Sequence, residues 1–237
     1  MNKHVIINTE APVEILESLN DLGFNVIKIP ILPSLAQPIQ GHPDLQVFIH
    51  DKTIFCQKYI DRNILSLFKK IFNNVKLCQT VPKDPYPNDV AYNIVNLTKK
   101  VICNTKYIEP AIKQYLLEKN IEMIHVNQGY AKCSTLVLNQ DSIITADNSI
   151  HIAASNNGVD SLLITPGFIQ LPGYEYGFPG GASGQFDNTV YFTGTLSHHP
   201  DKKKIESFIF SKNKHIQYLS NGTIIDLGSL FFFSTVK

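Results

Sequence analysis

The chain of 237 residues is predicted to be an α/β protein whose strand-strand-helix-strand units close into a ring, a pseudo-symmetric five-bladed α/β propeller. Three observations predict it. The pattern of two short strands, a helix and a third strand recurs along the chain. Its onsets, at Asp44, Asp89, Cys133, Ser183 and Asp226, lie about 43 to 50 residues apart, a spacing that marks a repeat architecture in which each unit buries its apolar face on its neighbours. The last unit lacks a helix and third strand, and the N-terminal segment supplies them, so joining the two ends leaves no exposed sheet edge.

The N-terminal segment has a strand at Val5 to Ile7, a helix within Pro12 to Leu22 and a strand at Val26 to Ile29. A linker from Ile31 to Gly41 carries two prolines and needs no structure of its own. The first full unit has Leu45 to Ile49, a turn at Asp51-Lys52, Thr53 to Cys56, a helix around Ile64 to Phe72 and Val75 to Cys78. The second has Asp89 to Val95, a turn at Asn96 to Lys100, Val101 to Cys103, a helix from about Tyr107 to Lys119 and Glu122 to Val126. In the third, Leu136 to Leu138 and Ile143 to Thr145 flank an Asn-Gln-Asp-Ser turn. Asp147-Asn148 opens a helix over Ser149 to Asn156, closed by Gly158, before Ser161 to Thr165. The fourth has a strand pair near Phe186 to Thr193, a helix over Lys202 to Phe210 and His215 to Leu219, and the chain ends in Thr223 to Asp226 and Leu230 to Phe233. The repeats thus run over 42–80, 88–127, 130–166 and 181–220, with 223–237 joined to 4–30, as one domain over 1–237.

Composition narrows the function. Charged residues make up 17% and hydrophobic ones 43%, as in a globular domain. The net charge is +1 and Arg62 is the single arginine, which leaves no electrostatic footprint for nucleic acid. Lys202-Lys203-Lys204 reads as a solvated helix face. Met1-Asn2-Lys3-His4 is followed by too few apolar residues for a signal peptide, and no apolar run approaches the roughly 20 residues of a membrane span, so a cytoplasmic protein is expected. Cys56, Cys78, Cys103 and Cys133 have no zinc or redox spacing and are expected to be thiols, the first three as small hydrophobes in apolar strands. No cofactor or metal motif is present; His198-His199-Pro200-Asp201 reads as a helix start.

The candidate site comes from the joints between units. In a ring whose inner strands line the axis, the five joints meet at one end of it. They carry His42, Asp44, Asn88, Asp89, Lys132, Cys133, Ser183 and Asp226: a thiol nucleophile, an imidazole for proton transfer and carboxylates for a cation. The expected catalytic set is Cys133, His42 and Asp44. The expected substrate-binding set is Asn88, Asp89, Lys132, Gly181, Ser183 and Asp226, for a small and cationic molecule. Each has a plainer role beside it: His42 and Asp44 sit in a Gly-His-Pro-Asp turn, Cys133 could simply pack, and Asp147 caps a helix. The run Gly177 to Gly184 holds four glycines, whose exposed amides could cradle a carboxylate or phosphate, or which could simply cover the end of the ring. Tyr174, Tyr176 and Phe178 beside it would wall a pocket.

The fivefold period, with Gln128-Gly-Tyr-Ala-Lys-Cys-Ser134 and Tyr176-Gly-Phe-Pro-Gly-Gly-Ala-Ser-Gly184, resembles the pentein fold of the guanidino-group-modifying enzymes, in an uncharacterised bacterial branch. The resemblance covers nearly the whole chain and implies a cysteine that attacks a guanidinium carbon, a histidine that handles protons and acids that grip nitrogens. The enzymes carry Arg-Asp where Asn88-Asp89 stands, and a cysteine in the last unit where Ser229 stands; Cys133 lies in the unit that usually carries their histidine. Two functions follow. One is a cysteine-dependent hydrolase or transferase acting on a guanidino- or amidino-type C–N bond; the other is a non-catalytic module that binds a small ligand or protein partner.

Overall fold

Five three-stranded sheets follow one another along the chain in the computed structural model, which describes residues 2–235. The first combines β1 (Asn2–Asn8), α1 (Val13–Asp21) and β2 (Phe24–Ile29) with a strand from the far end of the chain. The second contains β3 (Val47–His50), β4 (Thr53–Cys56), α2 (Arg62–Ile71) and β5 (Asn74–Leu77). The third contains β6 (Val95–Asn96), β7 (Lys100–Cys103), α3 (Pro110–Glu118) and β8 (Glu122–His125). The fourth contains β9 (Thr135–Asn139), β10 (Ser142–Thr145), α4 (Asn148–Asn156) and β11 (Asp160–Leu163). The fifth contains β12 (Ser183–Phe186), β13 (Thr189–Phe192), α5 (Lys202–Ser211) and β14 (His215–Tyr218), and β15 (Phe231–Thr235) returns to the first sheet.

Every blade has the same pairing. The inner strand runs antiparallel to the middle one through a tight turn, and the middle strand runs parallel to the outer one across the helix. In the first sheet β15 is the inner strand, antiparallel to β1 with Asn2 opposite Thr235. Middle strands β4 and β10 are buried along their whole length, while outer strands such as β5 and β11 are largely open to solvent. Three of the helices begin on side-chain caps, with Asp61 accepting from the amides of Asn63 and Ile64, Glu109 from that of Ala111 and Asp147 from that of Ile150. Four of the helices are followed by a left-handed residue, Gly23, Asn120, Gly158 or Asn213, which turns the chain back toward its sheet.

The apolar cores lie between blades and link them in a cycle. Ile6 and Ile27 of the first sheet pack with Ile54 and Phe68 of the second. Phe48 and Phe55 pack with Val101 and Ile112 of the third, Val95 and Ile102 with Ile143 and Ile150 of the fourth, and Leu136 and Ile144 with Val190 and Ile205 of the fifth. Phe186 and Tyr191 then pack against Val5 and Phe24 of the first. With each such side chain contributing about 1.5–3 kcal/mol on burial, no blade is stable without both neighbours, and the cycle closes the five-bladed propeller.

Three local expectations change. Asp89 to Val95 was expected as a strand, but only Val95–Asn96 pairs, because the Asn93 side chain turns inward to bind backbone amides at residues 132 and 133. Thr223 to Asp226 forms isolated bridges from Thr223 and Ile225 instead of a strand, since the Asp226 carboxylate is held by amides on both sides of it. The linker from Ile31 to Gly41 has structure of its own: Leu32, Leu35 and Ile39 form a small core with Leu45 and Leu171. Among the described residues, no helix is long and apolar enough to cross a membrane.

Candidate active site

The joints that precede the inner strands meet around a cavity of about 260 Å³. Its floor is polar, from His42, Cys133 and Asp226. Its walls are Ile39, Leu45, Leu171, Tyr130, Tyr174, Tyr176 and Phe178, and Glu175 is the one acid among its exposed lining residues. Tyr86, Tyr130 and Phe178 stack in series, with ring centroids 5.6 and 6.3 Å apart, and Tyr176 meets Phe178 edge-on at 6.1 Å. A cation entering this space meets aromatic faces on the way to the carboxylates below.

Cys133 is 3% exposed yet lines the cavity. Its thiol donates to Asp44 Oδ2 at 3.0 Å, and Asn93 Nδ2 donates to Sγ at 3.1 Å. Asn93 Oδ1 accepts the amides of Lys132 at 2.6 Å and Cys133 at 3.1 Å, so one side chain fixes both the backbone and the sulfur. Burial, and then the neighbouring Asp44, push the thiol well above its ordinary pKa. Asp44 comes from a short turn at Pro43–Leu45 whose amide is tied to Gly228 O. Burial raises its carboxyl pKa against the pull of His42 and Lys132. Oδ2 also accepts Ser229 Oγ at 2.6 Å, while Oδ1 has no partner among the described residues. His42 is 2% exposed, both ring nitrogens lack a partner among the described residues, Nε2 lies 4.0 Å from Asp226 Oδ1, and burial lowers its pKa. A buried imidazole without a hydrogen bond is costly, and the partner it lacks is one that a ligand in the cavity would supply.

Asp226 is seated by the glycine-rich run. Its oxygens accept the amides of Phe178 and Gly228, each at 2.9 Å. A Cβ at Gly181 would lie 1.9 Å from Asp226 Oδ1, and one at Gly177 would lie 2.5 Å from Asp226 Cβ. These glycines therefore make room for a carboxylate of the protein itself. The amides of Gly177, Phe178 and Gly181 are engaged by Ile169 O, Asp226 and Cys133 O, so these three do not form a cradle for an external anion, one of the two roles the sequence left open to this run. Burial raises the pKa of Asp226 to about 6. Gly228, at φ +75°, has His42 against the position of a Cβ, at 2.4 Å.

Among the residues singled out in the sequence, His42, Asp44, Cys133 and Asp226 converge. Lys132 lies behind them, half-buried and donating to Ser229 Oγ at 2.9 Å, its pKa lowered by burial. Asp89 stands one layer back: it accepts a very short hydrogen bond from Tyr130 OH and so positions a wall of the cavity. Ser183 donates to Pro179 O and closes the glycine loop. Asn88 is exposed and bonded to Pro85 O, away from the cavity. Sequence reasoning missed Asn93, Ser229, Ile39 and Leu171. The one signal for Asn93 was an asparagine in the middle of an apolar run, where strands disfavour it. His42, Asp44 and Cys133 also offer three donor atoms within 4.8 Å of one another, a set of the kind that holds zinc, assembled from residues too far apart in sequence for a spacing motif.

No curated protein matches the sequence. Among solved structures, dimethylarginine dimethylaminohydrolase of Pseudomonas aeruginosa, a mutant complexed with citrulline, is similar at TM-score 0.57 and 10% identity, covering 92% of each chain. An amidinotransferase of saxitoxin biosynthesis from Microseira wollei is similar at 0.55 and 11%, over 96% of this chain and 93% of its own. Agmatine deiminase of C. jejuni is similar at 0.53 and 10%, over 94% and 91%. At such identities the likeness is one of fold, the pentein propeller. Residues 6–231 match a family model described as a family of unknown function, DUF6873.

Proposed function

The chain belongs to the DUF6873 family of unknown function, and from that premise we propose that it is a cysteine-dependent hydrolase or transferase acting on a guanidino- or amidino-type C–N bond of a small cationic molecule. One observation carries the proposal. At the base of an aromatic cavity, a thiol 3.0 Å from a buried carboxylate shares the floor with a second buried carboxylate and an imidazole that has no partner of its own. Asp44 and Asp226 against Lys132 leave one excess negative charge when both acids are ionised, so a monocationic head group neutralises the floor.

In this scheme the planar cation lies against Tyr130 and Phe178 with its nitrogens toward Asp226. Asp44 takes the Cys133 proton, and Sγ adds to the central carbon, giving a tetrahedral adduct. His42 takes up a solvent proton as the thiolate forms beside it, and the C–N bond breaks as the resulting imidazolium gives that proton to the departing amine. Neutral His42 then takes a proton from a water, or from an acceptor amine, as it attacks the same carbon, and the thiolate leaves. A haloacetamidine should label Cys133, and Cys133→Ala should abolish both labelling and turnover while the protein still unfolds cooperatively; unimpaired turnover in that variant would dispose of the scheme.

A second reading is supported by the burial of Cys133 and the raised pKa of its thiol: a module that binds a cation without reacting with it. A thermal-shift panel of small guanidines and amidines separates the two. Stabilisation of Cys133→Ala equal to that of the wild type, with no product formed by either, favours the binding module.

A further inference from the structure

The inner strands serve both ends of the ring axis. Along each contributing segment the walls of the candidate site come first, as at His42, Cys133, Phe178 and Asp226. A few residues later come Phe48, Leu136, Gly184 and Phe231, which line a second cavity of about 250 Å³. The second cavity therefore enters the ring from the opposite end, and half-buried walls such as Asn96 and Gln185 open it to solvent. The two share no wall residue. What joins them is a chain of hydrogen bonds: Cys133 Sγ to Asp44 Oδ2 at 3.0 Å, Ser229 Oγ to the same oxygen at 2.6 Å, and Lys132 Nζ to Ser229 Oγ at 2.9 Å, with Lys132 forming part of the second cavity's wall.

We propose that Asp44, Ser229 and Lys132 are a proton relay that takes the Cys133 proton out through the axial cavity, at the end of the ring opposite the substrate pocket. The inference rests on Cys133 being the reacting thiol. In the resting arrangement Lys132 donates to Ser229, Ser229 donates to Asp44, and the thiol donates to Asp44 from the other side. Lys132 first releases a proton to solvent in the axial cavity, and its neutral amine becomes an acceptor. The thiol proton moves to Asp44, Asp44 gives it to Ser229 Oγ, and Ser229 passes its own proton to Lys132. The net change is loss of one proton from Sγ and gain of one by solvent, with each relay group restored.

Three further features fit. A substrate seated under Tyr130 and Phe178 closes the front of the site, so a proton leaving that way would have to pass it. Burial lowers the pKa of Lys132, bringing the neutral amine within reach. Ser229 holds φ +73°, a left-handed backbone that serine rarely adopts and glycine adopts freely, so its hydroxyl is what the position gains for that strain.

The test needs no substrate. Thiolate formation at Cys133 is followed by its ultraviolet absorbance after a rapid upward pH jump, with Cys133→Ala as the blank, in the wild type, Ser229→Gly, Lys132→Arg and the double variant. The charged groups facing the thiol are His42, Asp44, Asp226 and Lys132, and Lys132→Arg keeps the charge while removing the ability to accept a proton. A relay changes the rate of proton loss and not its equilibrium, so each single variant should slow thiolate appearance about tenfold to an unchanged endpoint, and the double should be no slower than either single. The relay is overturned if Lys132→Arg or Ser229→Gly forms the thiolate at the wild-type rate, if the losses multiply in the double variant, or if the wild-type thiolate never forms. Ser229→Gly tolerates the native backbone, and should it still unfold, Lys132→Arg alone decides. Slowed proton loss in the variants of a protein that turns over no guanidino compound would sink the proposed reaction and leave the relay standing; normal turnover with unslowed proton loss would do the reverse.

Discussion

Asp226 shows how a single residue ties stability to function. With its pKa raised from 3.8 to about 6, the folded protein holds a proton there that the unfolded chain has already released, so this group's contribution to stability falls as pH rises from about 4 to about 6. The full effect is at most about 3 kcal/mol. His42, held below 6.5, gives the opposite slope below that pH, since the unfolded chain gains a proton the folded one resists. The measurable quantity is therefore the difference between wild type and Asp226→Asn in urea unfolding, which should shrink as pH falls from about 7 to about 4; a constant difference would refute the shift. Guanidinium binding should strengthen through the same interval as the carboxylate ionises. At this scale the sequence disclosed His42, Asp44, Cys133 and Asp226 through their equivalent places at joints. It could not disclose that Lys132 and Ser229 bond to one another, because a contact across 97 residues depends on how blades meet.

The element that does most to build the site is the glycine-rich run, whose chain closes around a carboxylate. Gly181→Ala should drive Asp226 from its seat, cost about 1–3 kcal/mol and abolish cation binding. Gly23→Ala is its control: φ is +81° with open space around it, so the cost is about 1 kcal/mol from backbone strain alone and binding should be unchanged. Denaturant melts paired with ligand titration distinguish the two, and equal losses of binding would refute the seating role. Middle strands and helices were legible because apolar runs and capping residues are local signals. The runs around Asn93 and Asp226 read as strands for the same reason, yet their polar side chains hold other segments, and that tertiary demand interrupts the pairing.

In the whole molecule, closure depends on one joint between chain ends. Asn2 and Thr235 are register partners, so a short linker between the ends with new termini in the exposed Gln140-Asp141 turn should yield a permuted protein that unfolds cooperatively and keeps its site. Removing Phe231 onward takes away β15, which pairs with β1 and packs on both neighbouring blades, and should cost more than about 4 kcal/mol. Chemical denaturation of both proteins tests this; a stable truncated form would mean that the ring does not depend on its closing strand. The sequence by itself determined the repeat, its period and the complementarity of the two ends, because apolar periodicity and turn chemistry are written residue by residue. Only the tertiary structure decided which joint residues face the cavity, which stand behind it, and that two cavities share one axis. Those outcomes arise where five blades bring distant segments within hydrogen-bond reach, and no local preference of any segment encodes that distance.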